Sequence, residues 1–415
     1  MDTPAPRTAF FGSKVVLAAF LMGIFAWGTG VYGPPVFLHA VIERTGWSLT
    51  FVSAMVTAHY LIGAFVITRL ASLYARFGLP VITAAGAVVL AAGVFGWATA
   101  REPWHLFAAS MLTGAGWVAM GAVAVNAVIA PWYVRTRTWA ISLAYNGASV
   151  GGVIFSPLWA MLILKYSFPF AAVTIGCAGI ALVSFLSLKV FSVTPQSLGQ
   201  VADGDGRETT ARAAEPKTMP ALPGSALWRD RSFITLAGGM AVGLFAQIGL
   251  LSHLYSVLVP TLGADGAGYA LGLTTCCAIA GRTGVARLLT PKAERRLASA
   301  GCYAVQMLGT IVMFFFPGNT IALFFGVICY GLGIGNSTSL PPLIAQQEFA
   351  DQDVLRVVSL CVAISQSTYA FAPATFGFLR NAAGSHEAGA HVLFGAVAAV
   401  QGLTILCLLA GRRKR

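Results

Sequence analysis

Charged residues are scarce in this sequence, and acidic residues are scarcer than basic ones. Only 10% of the 415 residues are charged and 57% are hydrophobic, whereas soluble globular proteins carry about 25% charged residues. Aspartate and glutamate are absent from every long apolar stretch. This composition excludes a soluble globular domain and indicates a chain that crosses a membrane many times.

Cysteine is sparse as well, and its seven copies show no spacing typical of disulfide-rich or metal-binding domains. All seven fall in apolar stretches, including the adjacent pair Cys276 and Cys277, whose side chains would point to different faces of a helix. We therefore expect packing residues, with no metal and no cofactor. The longest polar segment, residues 191–231, is shorter than an ordinary folded domain, so no enzymatic domain is expected.

Apolar stretches long enough to cross a membrane recur along the whole chain. About 20 apolar residues are needed to span the hydrocarbon core as a helix. The sequence predicts twelve such helices, at residues 14–38, 48–72, 80–99, 104–131, 137–164, 168–190, 232–260, 268–289, 297–316, 320–345, 355–379 and 389–410. The expected fold class is an all-α membrane protein.

The basic residues are distributed unevenly between the two sides of the predicted helices. Of the 26 lysines and arginines, Arg282 falls inside a helix and only four others fall in loops on one side: Arg44, Arg101, Lys165 and Arg380. The positive-inside rule then predicts that both termini are cytoplasmic, in a multi-pass protein of the cell inner (plasma) membrane. Orientation and contact with anionic headgroups account for the net charge of +12, so nucleic-acid binding is not expected.

The polar segment divides the chain into two halves of similar order. The predicted units are an N-terminal six-helix bundle at 1–190, a flexible cytoplasmic linker at 191–231 and a C-terminal six-helix bundle at 232–415. Each half has a glycine-rich helix, then a polar turn, then a helix containing proline. The matching motifs are Gly114-Ala-Gly116 with Ser156-Pro157, and Gly331-Leu-Gly333 with Ala372-Pro373. Because six helices keep the same orientation in both copies, this order predicts two pseudo-symmetric bundles with a substrate site between them.

Arg282 lies deep inside an apolar stretch, residues 269–289. A charge at that depth costs about 3 kcal/mol on insertion scales, so it normally faces the protein interior or a water-filled path. The predicted helices offer no carboxylate to pair with it. A guanidinium can give a carboxylate two hydrogen bonds and keeps its charge, so we predict that Arg282 binds an anion from solution. The alternatives are packing against backbone carbonyls and extension of the side chain to the cytoplasmic surface.

Other polar residues within the predicted helices are candidates for contact with substrate or proton. His253 and His59 are the candidate proton carriers, together with Arg282, because imidazole titrates near neutral pH. The neutral candidates for substrate contact are Tyr32, Asn126, Asn146, Tyr330 and Gln366. For each of them the alternative is a structural hydrogen bond within the bundle. The remaining histidines are expected at the surface: His39, His105, His386 and His391.

One segment carries most of a resemblance to a known family. It reads Trp132-Tyr-Val-Arg135-Thr-Arg137-Thr-Trp-Ala140 and continues through Ala144, Gly147, Ser149, Val150 and Gly151. With Gly281-Arg282 in the eighth helix and Gly46-Trp47-Ser48 before the second, it resembles the major facilitator superfamily and, within it, the monocarboxylate transporter and oxalate/formate antiporter branch. The sequence departs from the pattern at several positions. Ser142 replaces a family glycine and Tyr145-Asn146 replaces a less polar pair. Ala75 replaces the usual aspartate between helices two and three, and Ala278 replaces an acid that animal monocarboxylate transporters often carry.

The resemblance implies the major facilitator fold and a secondary active transporter working by alternating access. The expected substrate is a small organic anion, a monocarboxylate of the lactate or pyruvate type, with a proton as co-substrate. The alternatives are an oxalate/formate-type dicarboxylate antiporter and a multidrug/proton antiporter, although the latter usually needs a carboxylate within the membrane. A membrane enzyme or sensor would need a cluster of catalytic groups, which the sequence does not show.

Overall fold

The computed structural model describes residues 10–204, 222, 224–289 and 293–412. Within these ranges the regular elements are all helices. The α-helices are α1 (Gly12–Gly30), α2 (Pro34–Thr45), α3 (Leu49–Phe77), α4 (Leu79–Thr99), α5 (Pro103–Ala119), α6 (Ala122–Ile129), α7 (Arg137–Lys165), α8 (Phe168–Leu186), α9 (Arg231–Leu288), α10 (Arg295–Phe315), α11 (Thr320–Ile334), α12 (Leu340–Glu348), α13 (Asp351–Tyr369), α14 (Ala372–Ala382) and α15 (His386–Ala410).

These helices supply twelve membrane spans in the described part of the chain. Ten helical stretches are long and apolar enough to cross a membrane. One of these, α9, is two spans, because Gly263 has a positive φ of 72° that breaks the helix there. The shorter apolar helix α11 continues into α12 and completes the set. The predicted all-α class and the predicted spans are confirmed, apart from the exact ends of the helices.

Four spans are interrupted near their middle, between α1 and α2, α5 and α6, α11 and α12, and α13 and α14. Proline occupies the first turn of α2, α12 and α14, where its missing N–H and fixed φ are tolerated. A break frees backbone N–H and C=O groups, which must find other partners inside a membrane protein. Pro157, in contrast, lies inside α7 without dividing it.

The start of the first span, the linker and the end of the last span lie on one side of the protein. The backbone N–H of Phe11 donates to Oε1 of Gln200 in the linker, at 2.9 Å. Arg412, after the last span, pairs with Glu294 at 2.5 Å. We call this side the linker side and the opposite side the far side.

The two halves meet in the far-side part of the molecule and separate toward the linker side. On the far side, the N–H of Ala374 in α14 donates to Thr57 Oγ1 in α3, at 3.0 Å, and Gly268 of α9 packs on Pro157 of α7. Nearer the linker side, residues of the same spans such as Asn146 and Arg282 are only half-buried. We infer that the space between the halves widens toward the linker side, and we call this space the cleft.

The first part of the predicted linker, residues 191–204, is docked on the N-terminal half through Asp203. Partial burial alone would raise the pKa of Asp203, but the Thr136 hydroxyl and the N–H groups of Arg135, Thr136 and Val134 donate to its carboxylate and lower the pKa to about 2. This carboxylate thereby satisfies backbone donors at the start of α7. The middle of the predicted linker, residues 205–221 and 223, lies outside the described residues.

Candidate substrate site

Arg282 is held in place by a carbonyl that the break between α11 and α12 frees. Gly281 in α9 and Gly335 at the end of α11 have no Cβ, and a Cβ on either would collide with the facing backbone. The close approach that these glycines allow brings the Gly335 carbonyl to 2.8 Å from Nε of Arg282. One edge of the guanidinium is thus fixed by the protein.

The face of α9 that carries Arg282 points at the other half. Thr275 lies two turns earlier on that face. A methyl group added to Gly152 of α7 would lie 2.7 Å from Thr275 Oγ1 and equally close to Cζ of Tyr32. Tyr32, in the break between α1 and α2, also interacts electrostatically with Arg282. Arg282 therefore faces the cleft between the halves.

The other end of the guanidinium has no protein partner in the part of the chain that the structure describes. No hydrogen bond or ion pair from those residues reaches Nη1 or Nη2, and the side chain is half-buried at the cleft. Backbone packing, one of the two alternatives for this residue, is realised by Nε alone. The Nη1–Nη2 end forms the kind of planar fork that binds a carboxylate with two hydrogen bonds.

The five neutral candidates do not form one cluster. Tyr32 lies close to Thr275, on the face of α9 that also carries Arg282. The Tyr330 hydroxyl is buried instead and donates to the Gln247 carbonyl of α9 at 2.8 Å. Asn126 donates to the Ala122 carbonyl at 2.8 Å and to the Tyr145 hydroxyl at 3.0 Å. Two candidates are half-buried with side chains that make no hydrogen bond to described residues: Asn146 and Gln366.

A row of aromatic rings crosses the N-terminal half beside these residues, and sequence reasoning missed it. The Trp27 ring lies 5.8 Å from Tyr145 and 6.0 Å from Trp117. Asn126 orients the Tyr145 hydroxyl at one end of the row. At the other end, Trp117 stacks on His59 with ring centroids 6.1 Å apart.

His59 and His253 each bond a carbonyl at a helix break. His59 Nε2 lies 3.0 Å from the Gly30 carbonyl at the end of α1, and its Nδ1 lies 2.9 Å from Thr113 Oγ1. His253 Nε2 lies 2.9 Å from the Pro373 carbonyl in α14. Both imidazoles are buried, and neither is bonded to Arg282.

The second nitrogen of His253 faces Arg380, whose predicted position was wrong. Arg380 was expected in a loop, but it lies in α14 with 5% of its surface exposed. Its Nη1 is 3.1 Å from His253 Nδ1 and donates to Ser256 Oγ at 2.8 Å, while its Nε is buried without a partner. The predicted span ended at 379, one residue too early to include this arginine.

One of the histidines expected at the surface, His39, is partly buried beside this cluster, whereas His386 is exposed as predicted. The His39 ring lies 5.3 Å from the Tyr255 ring, and His386 Nε2 lies 3.2 Å from the Ser256 carbonyl. The position of His39 differs from the prediction because α2 packs on α9.

Arg296 is a second arginine that was expected among the surface charges and is buried instead. It is 1% exposed in α10. Its Nε and Nη2 contact the two carboxylate oxygens of Glu348 at 2.6 and 2.8 Å, and it also donates to Ser232 and Thr235. Glu348 lies just beyond the predicted span, so this pairing was not evident from the sequence.

Comparisons with known proteins agree with this architecture. The family model of the Major Facilitator Superfamily matches residues 15–373. A bacterial homologue of the human lysosomal transporter Spinster, solved in an inward-facing, unoccupied conformation, is similar with a TM-score of 0.73 and 15% identity over 98% of each chain. The nucleoside transporter NupG gives a TM-score of 0.71 and 11% identity over 98% of this chain and 100% of its own. No match was found among curated protein sequences.

At such low identities the two structures show the fold alone, whereas the family model covers most of the sequence. The chain belongs to the Major Facilitator Superfamily and is a multi-pass membrane protein of the transporter type.

Proposed function

We propose that this protein is a secondary transporter of a small organic anion, most simply a monocarboxylate of the lactate or pyruvate type. The observation that carries the proposal is the free Nη1–Nη2 end of Arg282, which faces the cleft while Nε is held by Gly335. A carboxylate arriving there would supply the counter-charge that the described residues do not provide. The residues matching the monocarboxylate transporter and oxalate/formate antiporter branch, including Gly281-Arg282, support the same class of substrate.

Transport would follow alternating access, with the anion bound between the halves. The cleft opens to the linker side, which the distribution of basic residues assigns to the cytoplasm of the plasma membrane. A proton carried with the anion would cancel its charge and ease its passage. His59 and His253 are the side chains we propose for that proton, because no described carboxylate lies near Arg282.

Two other substrates have some support. A dicarboxylate such as oxalate fits the same arginine and the same branch. A neutral nucleoside is transported by the structurally similar NupG, and the aromatic row from Tyr145 to Trp117 offers ring surfaces on which a base could stack. A multidrug/proton antiporter is disfavoured, since the cleft offers a cation where such a carrier usually needs a carboxylate.

Uptake by proteoliposomes separates these possibilities. Labelled pyruvate, lactate, formate, oxalate and uridine would be offered with and without an imposed proton gradient. We expect gradient-stimulated uptake of a monocarboxylate, lost in Arg282→Gln and retained in part in Arg282→Lys. Arg287→Gln is the matched control, because Arg287 is exposed on the same helix.

Undiminished monocarboxylate uptake by Arg282→Gln would refute the role of Arg282. Uptake of uridine alone, unchanged in Arg282→Gln, would replace the anion by a neutral substrate.

A further inference from the structure

The far-side contact between the halves lies directly over His253. In this contact, which we call the far-side seal, α14 packs on α3 through Ala374, bonded to Thr57, and through Gly377, packed against Ser53. A Cβ on Gly377 would also lie 3.4 Å from His253 Cε1. The imidazole of His253 therefore supports the same turn of α14 that closes the seal.

The hydrogen bonds of His253 permit only one protonation state. The Arg380 guanidinium carries donors and no acceptor, so His253 Nδ1 must accept from Arg380 Nη1 at 3.1 Å. The Pro373 carbonyl can only accept, so Nε2 carries the hydrogen at 2.9 Å. In the closed seal the imidazole is neutral, with both nitrogens occupied.

A second proton on His253 would break this arrangement. It would have to bind Nδ1, where it would face an N–H of a cation at hydrogen-bond distance, in a region without bulk water. Within the closed seal the Arg380 guanidinium is held by the bond from Nη1 to Ser256, and its Nε is already buried without a partner among the described residues.

No carboxylate in the described residues pairs with either group. Titratable groups on the elements packed around them include His39 and Glu43 of α2, Tyr255 and Asp265 of α9, and His386 at the start of α15. Among these side-chain types only imidazoles ordinarily gain charge between about pH 7.5 and about pH 5.5, and a further positive charge near Arg380 would be unfavourable as well.

The other buried histidine, His59, can accept a second proton, so the restriction to one proton at His253 results from the facing Arg380. The Thr113 hydroxyl facing its Nδ1 either donates to the imidazole or turns to the Ser110 carbonyl, 3.1 Å away, and accepts. His59 can therefore gain a proton without losing a hydrogen-bond partner, whereas His253 cannot.

We propose that Arg380 makes protonation of His253 and closure of the far-side seal mutually exclusive. A proton reaching His253 from the far side would displace Arg380, loosen α14 from α3 and hold the far side open until the proton leaves. The inference rests on the alternating access of the proposed function, and it assigns to Arg380 a positioning role in coupling the proton to that motion.

The distance across the far side tests this directly, without any substrate. Spin labels at Arg101→Cys and Gly318→Cys, two exposed far-side loop positions in opposite halves, would be introduced after the seven native cysteines are replaced by serine. Pulsed electron paramagnetic resonance would be recorded at about pH 7.5 and about pH 5.5. We expect a population with a longer distance to grow at the lower pH in otherwise unmodified protein.

The variants identify the groups responsible. His253→Gln can still accept from Arg380 and donate to Pro373 but cannot gain a proton, so its distance should stay short at both pH values. Arg380→Gln removes the opposing cation and should also lose most of the acid response. His391→Gln, which changes a far-side histidine bonded within its own helix, should respond as the unmodified protein does.

An unchanged distance at the two pH values in the unmodified protein would overturn the proposal. So would acid-induced lengthening in His253→Gln equal to that of the unmodified protein. Because no anion is present, either outcome leaves the role of Arg282 to be judged by the uptake assay.

Discussion

Arg296 and Arg282 are arginines of the same half that the protein treats in opposite ways. Arg296 is fully buried on the linker side, where both oxygens of Glu348 and three further acceptors bond its donors. Arg282 is half-buried at the cleft, where one carbonyl holds Nε and described residues leave the other end free. We call the surroundings of Arg296 the complete site, because the protein bonds its donors without a ligand. We call the surroundings of Arg282 the incomplete site, because the guanidinium is positioned but part of it lacks a described partner.

The number of bonding partners, and not the degree of burial, distinguishes an arginine that stabilises the fold from one that is available to bind a ligand. By burial alone, Arg296 would be the stronger candidate for a functional charge. Its hydrogen-bond partners make Arg282 the stronger candidate instead, because a buried ion pair whose donors are all bonded needs no ligand from solution. Variants at the two positions should therefore fail in different ways.

The largest effect is expected from breaking the complete site. Arg296→Met leaves the Glu348 carboxylate buried without its partner, which should lower the free energy of unfolding by about 3–5 kcal/mol. Adding Glu348→Leu removes the orphaned charge and should restore much of the loss. Thermal denaturation in detergent measures both, and equal stability of the single and double variants would contradict the assignment.

The incomplete site should show the opposite behaviour. Arg282→Gln removes a charge that the protein does not neutralise, so thermal stability should stay the same or rise. Anion affinity should fall about 30-fold or more, since a lost charge-assisted pair costs about 2–5 kcal/mol. A stability loss as large as that of Arg296→Met would show that Arg282 is structural.

A smaller effect should distinguish the two tyrosines expected at the substrate. Tyr32→Phe removes a hydroxyl near Thr275, on the face of α9 that carries Arg282, and should weaken anion affinity about 2- to 12-fold, as expected for one hydrogen bond of 0.5–1.5 kcal/mol. Tyr330→Phe removes a hydroxyl bonded to Gln247 within one half, so it should lower stability and leave affinity unchanged. Binding curves and thermal melting curves of both variants test these roles. Weaker binding in Tyr330→Phe together with lower stability in Tyr32→Phe would contradict them.

The smallest effect is expected at the linker, away from both arginines. Because hydrogen bonds lower the pKa of Asp203 from 3.8 to about 2, the docking it provides is complete above the ordinary pKa and is lost as the pH falls toward 2. Asp203→Asn should speed amide exchange of residues 134–136 at neutral pH while uptake stays within about twofold. Unchanged exchange would show that Asp203 does not hold this turn.

The fold was largely predictable because its signal is repeated. Each span needs about 20 apolar residues, and such stretches recur along the chain. The helix breaks were less visible: Pro373 divides its span while Pro157 does not. Whether a proline divides a helix depends on partners for the freed backbone groups, such as Thr57 and His253 for α14.

The candidate site was predictable only where one residue broke the composition rule. Arg282 stood out as a charge in an apolar stretch, and the structure places it at the cleft. Arg380 and Arg296 did not stand out, because each lies at the edge of a predicted span, where a charge is ordinary. Their partners, His253 and Glu348, are 127 and 52 residues away in sequence, so only the packed structure reveals them.

Equilibrium binding of labelled pyruvate to the purified protein tests the central claim most directly, with unmodified protein, Arg282→Gln and Arg287→Gln compared under the same conditions. We predict saturable binding by the unmodified protein and by Arg287→Gln, and none by Arg282→Gln at the same concentrations. Equal binding by all three proteins would show that the guanidinium in the cleft does not receive the anion.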